Sequence, residues 1–515
     1  MKKNYVLAFA LSFAVLMSWQ YMMGRHKPPA GEPDAPASMG APSPEKIDRV
    51  VSPSAGAKAP DIRRENAVVF EIGDNRVTVN RWGGAVAQWE IKEAKEDAQW
   101  LTLSPVKEFA VQPLATFPDL PFEVRREGDR LLLTAKRDDG LLIEKSILVS
   151  PHSHLHQVSV TLTNRGKAPL SPTYEIGWGP GVEAGDEKGK DGREAKGFQR
   201  ALAFEAPKLV HLKPGTTTRP YRWWGVDGHY FLAAFITPTG RETADVKLHV
   251  EKEEHYFSVH RVVSAQMEPG ATQEETAAFY LGPKGYQNLK SLGFGLERSV
   301  DFGYFAPFGK VIHRALFTFH KVTRNYGWAI IVLTVIIQIL VLPLTIKSFQ
   351  HGQKMKLIQP QMKRLQELYK NDARRLNSEM LALYQRHGMR FMGMEGCVPM
   401  LIQLPVFWAL FSTLRNTYEL RHAPWFGWVK DLSAHDPFYV LPVLMGAGMF
   451  FQQKMSMSSV DPSQRQIMYM MPIVFTFIFL KMPAGLVIYW LTNSLVTIGV
   501  QLILMRRAAA TAAAR

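Results

Sequence analysis

Residues 327–344 read GWAIIVLTVIIQILVLPL and include no charged side chain. Coiled as a helix, this stretch is long enough to cross the roughly 30 Å hydrocarbon core of a bilayer. No other feature limits the fold so strongly, since a run of this length and apolarity reads as a membrane span. Two of its side chains do not suit a passive anchor. Thr334 and Gln338 lie four residues apart and therefore share one helical face. An amide facing hydrocarbon without a partner costs on the order of several kcal/mol. That face looks either into protein, as a helix–helix hydrogen bond, or into a wet cavity.

The chain as a whole is not membranous. Its 515 residues have a mean hydropathy of −0.10, so a large soluble part accompanies the apolar one. The formal net charge of +15 fits nucleic acid, anionic lipid or a topology signal. A topology signal fits best, because the basic residues cluster beside apolar runs. Cys397 is the only cysteine, which excludes an intrachain disulfide. A large exported domain without disulfides must be held by its core. No Cys/His spacing suited to a metal occurs, and neither metal nor cofactor is expected.

Read in order, the chain opens with Lys2 and Lys3 before an apolar run from Tyr5 to Met23. The run is longer than the apolar part of a cleaved signal peptide, and Trp19, Gln20 and Tyr21 stand where small residues precede a cut. Residues 1–24 are expected to form a transmembrane signal anchor with its N-terminus in the cytoplasm. Prolines from Pro28 to Pro60 punctuate residues 25–66, an extended linker. From Ala67 to Pro283 the period is two, as in Val158, Val160 and Leu162, with Gly, Asn and Asp at the turns. This predicts a large antiparallel β domain over 67–300, a sandwich with one wet face per sheet. His152, His154 and His156 fall on one face of a strand. Polar alternation on a solvated face accounts for them better than a metal site, since no nearby acidic or Cys ligand is apparent. The charged stretch Glu183 to Lys196 reads as a loop.

Residues 301–325 predict an amphipathic helix along the membrane surface. Phe308, Val311, Ile312, Ala315, Leu316 and Phe319 form its apolar stripe, with Lys310, His313, Arg314 and Lys321 mostly elsewhere. After the 327–344 span comes a basic segment, 346–396, read as a helical hairpin. Met362, Leu365 and Leu368 stripe its first helix; Leu376, Met380, Leu383 and Tyr384 stripe the second; Asn371-Asp372 supplies turn and cap. Its excess of Lys and Arg marks the cytoplasmic side. Four further spans are expected at 398–414, 438–451, 467–480 and 485–505. With the anchor the total is six, both termini are cytoplasmic, and residues 508–515 form a short tail.

Nine short motifs, in order, resemble the YidC family of membrane-protein insertases. They are Asn325-Tyr326-Gly327, Pro343-Leu344-Thr345, Gln359-Pro360, Gly396-Cys397, Leu401 to Pro405, Asp431-Leu432-Ser433, Asp436-Pro437, Gln452 to Met455 and Gly485 to Tyr489. Trp224-Gly225, His229 to Phe231 and Phe279 to Pro283 are similar to the periplasmic domain of Gram-negative members. The resemblance implies a multi-domain membrane protein of three parts: an α-helical six-span membrane bundle, a large periplasmic all-β supersandwich, and the cytoplasmic helical hairpin. The bundle would comprise a five-helix insertase core within 326–507 plus the N-terminal anchor. It further implies an inner-membrane insertase and chaperone, not an enzyme, with a polar groove open to cytoplasm and lipid. Thr334, Gln338, Gln403, Tyr489, Trp490 and Asn493 would line that groove. Bacterial relatives typically carry arginine where Gln338 stands, so this groove would be polar but uncharged there. Lys354, Lys356, Lys363, Arg364, Arg374 and Arg375 would form a docking face. Implied partners are nascent membrane proteins, the Sec translocon (SecYEG and SecDF), the ribosome, the signal-recognition-particle receptor and membrane lipids. The rival reading is a membrane-anchored periplasmic carbohydrate-active enzyme. A transporter is disfavoured because the apolar segments show no internal repeat.

The topology is checked by labelling Asp186→Cys, in a Cys397→Ser background, with an impermeant maleimide. Reaction from the periplasmic side is expected; reaction solely from the cytoplasmic side would overturn the topology.

Overall fold

A computed structural model describes residues 67–92, 100–103, 112–182, 199–237, 243–251, 256–388, 398–456 and 462–513. The expected anchor, the Pro-rich linker and the loop at 183–196 lie outside the described residues. The chain divides into two compact units, residues 1–57 with 460–471, and residues 58–459 with 472–515. Of the first, residues 462–471 are described and are helical.

The second unit begins with β-structure. Strands β1 (Ala67–Ile72), β2 (Asn75–Asn80), β3 (Val86–Lys92) and β4 (Trp100–Thr102) form one antiparallel sheet in chain order. The next strands are β5 (Glu123–Glu127), β6 (Arg130–Lys136), β7 (Leu141–Leu148), β8 (Leu155–Asn164) and β9 (Thr173–Trp178). Then come β10 (Arg200–Glu205), β11 (Lys208–His211), β12 (Gly215–Arg219), β13 (Trp223–Asp227) and β14 (Phe231–Ile236). The last are β15 (Ala244–Glu251), β16 (Tyr256–Ser264) and β17 (Thr272–Pro283). A nine-stranded antiparallel sheet has the order β11-β10-β13-β14-β17-β8-β7-β6-β5, and a four-stranded one the order β12-β15-β16-β9. Their alternating apolar positions interleave in one core, among them Val77, Ile143, Val160, Ile176, Val246 and Val259. The three sheets meet at Trp89. Its ring stands edge-on to Trp178 at 6.3 Å and to Phe279 at 5.8 Å, and its N–H donates to Asn75 Oδ1 at 3.1 Å.

Two expectations for this domain need correction. The nine-stranded sheet is not wet on one face throughout. Strands β13 and β14 are buried at every residue. On the second face Leu202, Trp223, Leu232, Ala234 and Tyr280 pack under Leu289, Leu296, Val300 and Phe302. Those covering residues come from a short helix, α1 (Tyr286–Ser291), and the segment after it. The histidines are not a solvated row either. His156 lies in the core, 4.8 Å from the Trp89 ring, and its Nδ1 accepts from Ser150 N at 3.1 Å. His152, in the turn before β8, pairs with Asp74 at 2.9 Å. Three histidines spaced by two therefore diverge, because the extended strand starts only at Leu155.

Helices fill the rest. α2 (Ala306–Thr323) turns Ile312 and Leu316 into the core of the helical bundle. His313 shares that buried side, 5.2 Å from the Tyr286 ring, while Phe308 and Val311 are 59% and 68% exposed. The expected single apolar stripe is thus split: one part packs on protein and the other faces outward. α3 (Tyr326–Leu368) runs without a break from the apolar stretch into the basic segment, through Pro343 and Pro360. The span and the first hairpin helix are one element. α4 (Ala373–Arg386) is capped by Asp372, whose side chain accepts from Arg375 N at 3.0 Å. It packs on α3 through Ile358, Met362, Leu365, Leu383 and Tyr384, while Leu368, expected in that stripe, is exposed. α5 (Val398–Asn416), α6 (Val440–Ser456), α7 (Pro462–Phe479) and α8 (Ala484–Ala513) fall where spans were expected. Among the described residues, Tyr326–Met355 and Ala484–Arg507 are long and apolar enough to cross a membrane, and Met468–Phe479 is a shorter apolar helix.

The β domain should be acid-sensitive. Burial holds the His156 and His260 imidazoles down at about 3, helped by neighbouring His154 and His249 respectively, and His229 at about 4. Below the ordinary value of 6.5 the unfolded chain takes up protons that these native sites refuse. The stability they contribute is present above pH 6.5 and is lost as pH falls toward 4. Each site costs on the order of 2 kcal/mol by pH 5. The thermal midpoint of the β-sheet circular-dichroism signal should fall from pH 7 to pH 5, and less steeply in His260→Asn.

Candidate functional site

The site is built around the starts of the two long apolar helices. Asn325 caps α3: its Oδ1 accepts from Gly327 N at 2.9 Å and Trp328 N at 3.2 Å. Its Nδ2 donates to the carbonyls of Pro424 and Trp425, both at 3.1 Å. A side chain on Gly327 would overlap the Trp425 ring, so only glycine permits this approach. The same connection, between α5 and α6, holds the start of α8: Ala484 N donates to Ala434 O at 2.7 Å and Gly485 N to Leu432 O at 2.9 Å. Asp431 and Asp436 shape the connection from within. Asp431 Oδ1 accepts from Ser433 N and Oγ. Buried Asp436 accepts from Trp428 Nε1 at 2.9 Å, Phe438 N at 3.0 Å and Leu441 N at 2.7 Å.

Of the six residues expected in a groove, the structure joins two directly. The Gln403 amide on α5 donates to the hydroxyl of buried Tyr489 on α8. Trp490, beside it, packs against Phe407 at 5.2 Å, Phe479 at 5.3 Å and Phe475 at 5.9 Å. Asn493 lies one turn below Tyr489 on the same face of α8, and its Oδ1 is buried with no hydrogen-bond partner among the described residues. Thr334 is fully buried on α3, but its hydroxyl donates to Ile330 O, 2.7 Å away in its own helix. Gln338, a turn further along α3, is half-buried. Among the described residues no hydrogen bond joins Thr334 or Gln338 to the other four.

Asn493 and Gln501 are polar residues of the last apolar run already visible in the sequence, but Thr497 and Ser494 extend their row and were not expected in it. Tyr489, Asn493, Thr497 and Gln501 recur at intervals of four along α8, and Ser494 adjoins them. Among the described residues Ser494 Oγ and Gln501 Oε1, like Asn493 Oδ1, are buried without a hydrogen-bond partner. The four-residue spacing was the available signal, hidden by the apolarity between. Unpaired amide and hydroxyl oxygens inside apolar helices are costly unless water or another chain reaches them. The arrangement can therefore offer hydrogen bonds to a polar guest; it holds no nucleophile–base pair. Of the six expected docking residues, Lys354, Lys363, Arg364, Arg374 and Arg375 are exposed on α3 and α4, and the side chain of Lys356 lies outside the described residues.

A β-sandwich continued into apolar helices, with uncharged polar side chains turned inward, defines a membrane-embedded protein with a large extramembranous domain. Residues 120–318 match the family described as the YidC periplasmic domain, and residues 318–511 the 60Kd inner membrane protein family. The membrane protein insertase YidC of Endomicrobium trichonymphae is 39% identical over 467 residues, covering 87% of this chain and 86% of the relative. The membrane protein insertase YidC of Syntrophus aciditrophicus is 32% identical over 547 residues, covering 99% and 100%. A crystal structure of an active YidC insertase with its first transmembrane domain resolved aligns over 85% of this chain and 93% of its own. It shares 17% identity, with a TM-score of 0.39. The chain belongs to the YidC family of membrane protein insertases.

The Gln403–Tyr489 pair makes a stability test. Tyr489→Phe leaves the Gln403 amide without that acceptor and should cost about 1–3 kcal/mol. Gln403→Leu combined with Tyr489→Phe removes both polar groups and should recover much of the loss. Thermal aggregation in detergent reads both.

Proposed function

We infer that this protein is a membrane protein insertase of the inner membrane, and that incoming chains meet it along the polar row of α8 and the facing parts of α3 and α5. The observation that carries this reading is the set of uncharged polar groups gathered at Gln403, Tyr489 and Asn493 among apolar helices. A charged side chain at the bilayer centre costs about 2.5–3.5 kcal/mol on insertion scales. A hydrated, polar-lined passage lowers that barrier for the segment to be translocated. The apolar segment then partitions by itself, at about −0.3 to −0.6 kcal/mol for each Leu, Ile, Phe or Val. The insertase needs no nucleotide for this.

Thr334, Gln338 and Trp490 belong to the same proposed lining, Thr334 and Trp490 chiefly as packed walls. The exposed basic face on α3 and α4 is the proposed docking surface for the ribosome or the signal-recognition-particle receptor. The Sec translocon is a proposed partner. Six spans, cytoplasmic termini, a cytoplasmic α3–α4 hairpin and a periplasmic β domain are the proposed topology. The relatives that align over most of the chain are membrane protein insertases, which gives the rival reading of a carbohydrate-active enzyme no support.

Gln338 tests the lining. Gln338→Leu should slow insertion severalfold by removing a polar wall. Gln338→Arg should be tolerated, and should favour substrates with acidic translocated segments through charge attraction. The measurement is insertion of paired substrates differing only in translocated charge, at equal insertase level. Equal loss for both variants and both substrates would leave Gln338 a packing role alone.

A further inference from the structure

The connection between α5 and α6 carries more exposed aromatic surface than a water-facing loop needs. Phe426 and Phe438 are 66% and 68% exposed, and Tyr439 and Trp328 present much of their rings beside them. The loop is not loose. Asp436 and Asp431 tie it from inside, and Trp425 N donates to Val429 O at 3.0 Å around the left-handed Gly427. Tyr439 is itself held at φ 56°, a conformation that costs a non-glycine residue about 1–3 kcal/mol. A fold that spends strain and two internal carboxylates to hold aromatic rings outward is presenting them to something.

The position says to what. The loop hydrogen-bonds to the first residues of both long apolar helices, at Asn325 and at Ala484 and Gly485. It therefore sits at the level where those helices leave the hydrocarbon. Further along the same helices, Ile336, Ile339 and Leu340 on α3 and Val443 and Leu444 on α6 are exposed apolar side chains. At its own level stand the exposed ammonium groups of Lys430 and Lys481. Aromatic rings with lysines beside them, directly above an outward apolar band, match the boundary between acyl chains and phosphate headgroups.

We propose that the α5–α6 loop, through Phe426, Phe438, Tyr439 and Trp328, is a lipid-binding collar seated in the interfacial zone of the leaflet on the β-domain side, with Lys430 and Lys481 toward its phosphates. The collar fixes the depth of the bundle. Gln338 lies about 18 Å along α3 from Tyr326, and Asn493 about 14 Å along α8 from Ala484. A collar at the interface thus sets both near the middle of a core roughly 30 Å thick. That consequence rests on the polar lining proposed above; the collar itself does not.

The test uses the full chain in phosphatidylcholine vesicles, in a Cys397→Ser background. Phe426→Cys, Phe438→Cys and the β-domain control Lys213→Cys each carry an environment-sensitive nitrobenzoxadiazole label. All three positions are exposed, so the core is untouched. Lipids bearing a nitroxide high or low on the acyl chain, and aqueous iodide, serve as quenchers. The expected result is at least twofold stronger quenching of labels 426 and 438 by the shallow nitroxide than by the deep one, with protection from iodide. The label at 213 should show the reverse sensitivity to lipid and iodide. Iodide access at 426 and 438 equal to that at 213 would overturn the proposal and leave the aromatic face to a protein partner. Stronger quenching by the deep nitroxide would overturn it too, by placing the rings in the core. Because insertion is not measured, failure of the polar lining cannot alter this outcome.

Discussion

One side-chain amide holds the top of the helical bundle together. Asn325 accepts from two N–H groups that open α3 and donates to two carbonyls of the α5–α6 loop. The loop in turn receives the first N–H groups of α8. Helix starts leave orphan donors that water satisfies in a soluble protein. Here the protein supplies the acceptors itself. The facing positions of α3 and α8, and with them the distance between Thr334 and the Tyr489 row, follow from this arrangement.

Much of that framework was legible in the sequence because the motifs have mechanical jobs. Asn325-Tyr326-Gly327 is a helix cap with a glycine beneath a tryptophan ring. Asp431-Leu432-Ser433 and Asp436-Pro437 are the internal ties of a loop. Gly485 lets α8 begin against Ile330 and Leu432. The apolar runs gave the helices at 398–416, 440–456 and 484–513 because nothing but a helix suits them. The polar side chains within the apolar runs could be read from the sequence, but their contacts could not. The Gln403–Tyr489 bond joins residues 86 apart in the chain, and no local pattern announces such a pair.

What the sequence hid has physical causes. Periodicity reports which residues are apolar, not which surface is covered. On α2 the apolar residues occupy more than one face, and only tertiary packing separates those that meet α3 and α5 from those that face outward. In the β domain, FLAAFI had already lost its alternation, the mark of a strand covered on both sides. The cover came from residues beyond the last strand, outside the window that alternation samples. His156 misled for a related reason: a polar side chain can sit in a core with one backbone N–H on Nδ1 and aromatic rings around it, and then alternation misassigns its face.

The uninterrupted length of α3 has a mechanical meaning. Forty-three residues make a rod of about 65 Å, twice the thickness of a hydrocarbon core, so in the proposed topology roughly half of it would extend beyond the bilayer as a mast. Its stay is α4, attached by a small patch in which, among the described residues, Ile358 and Leu383 are the buried apolar ones. Pro360 sits in that outer half and leaves one carbonyl a turn earlier without its helical donor. Pro343 interrupts the ladder in the inner half in the same way, so a load applied at the tip would meet the weaker turn at Pro360 before the one at Pro343 and before the capped end at Asn325.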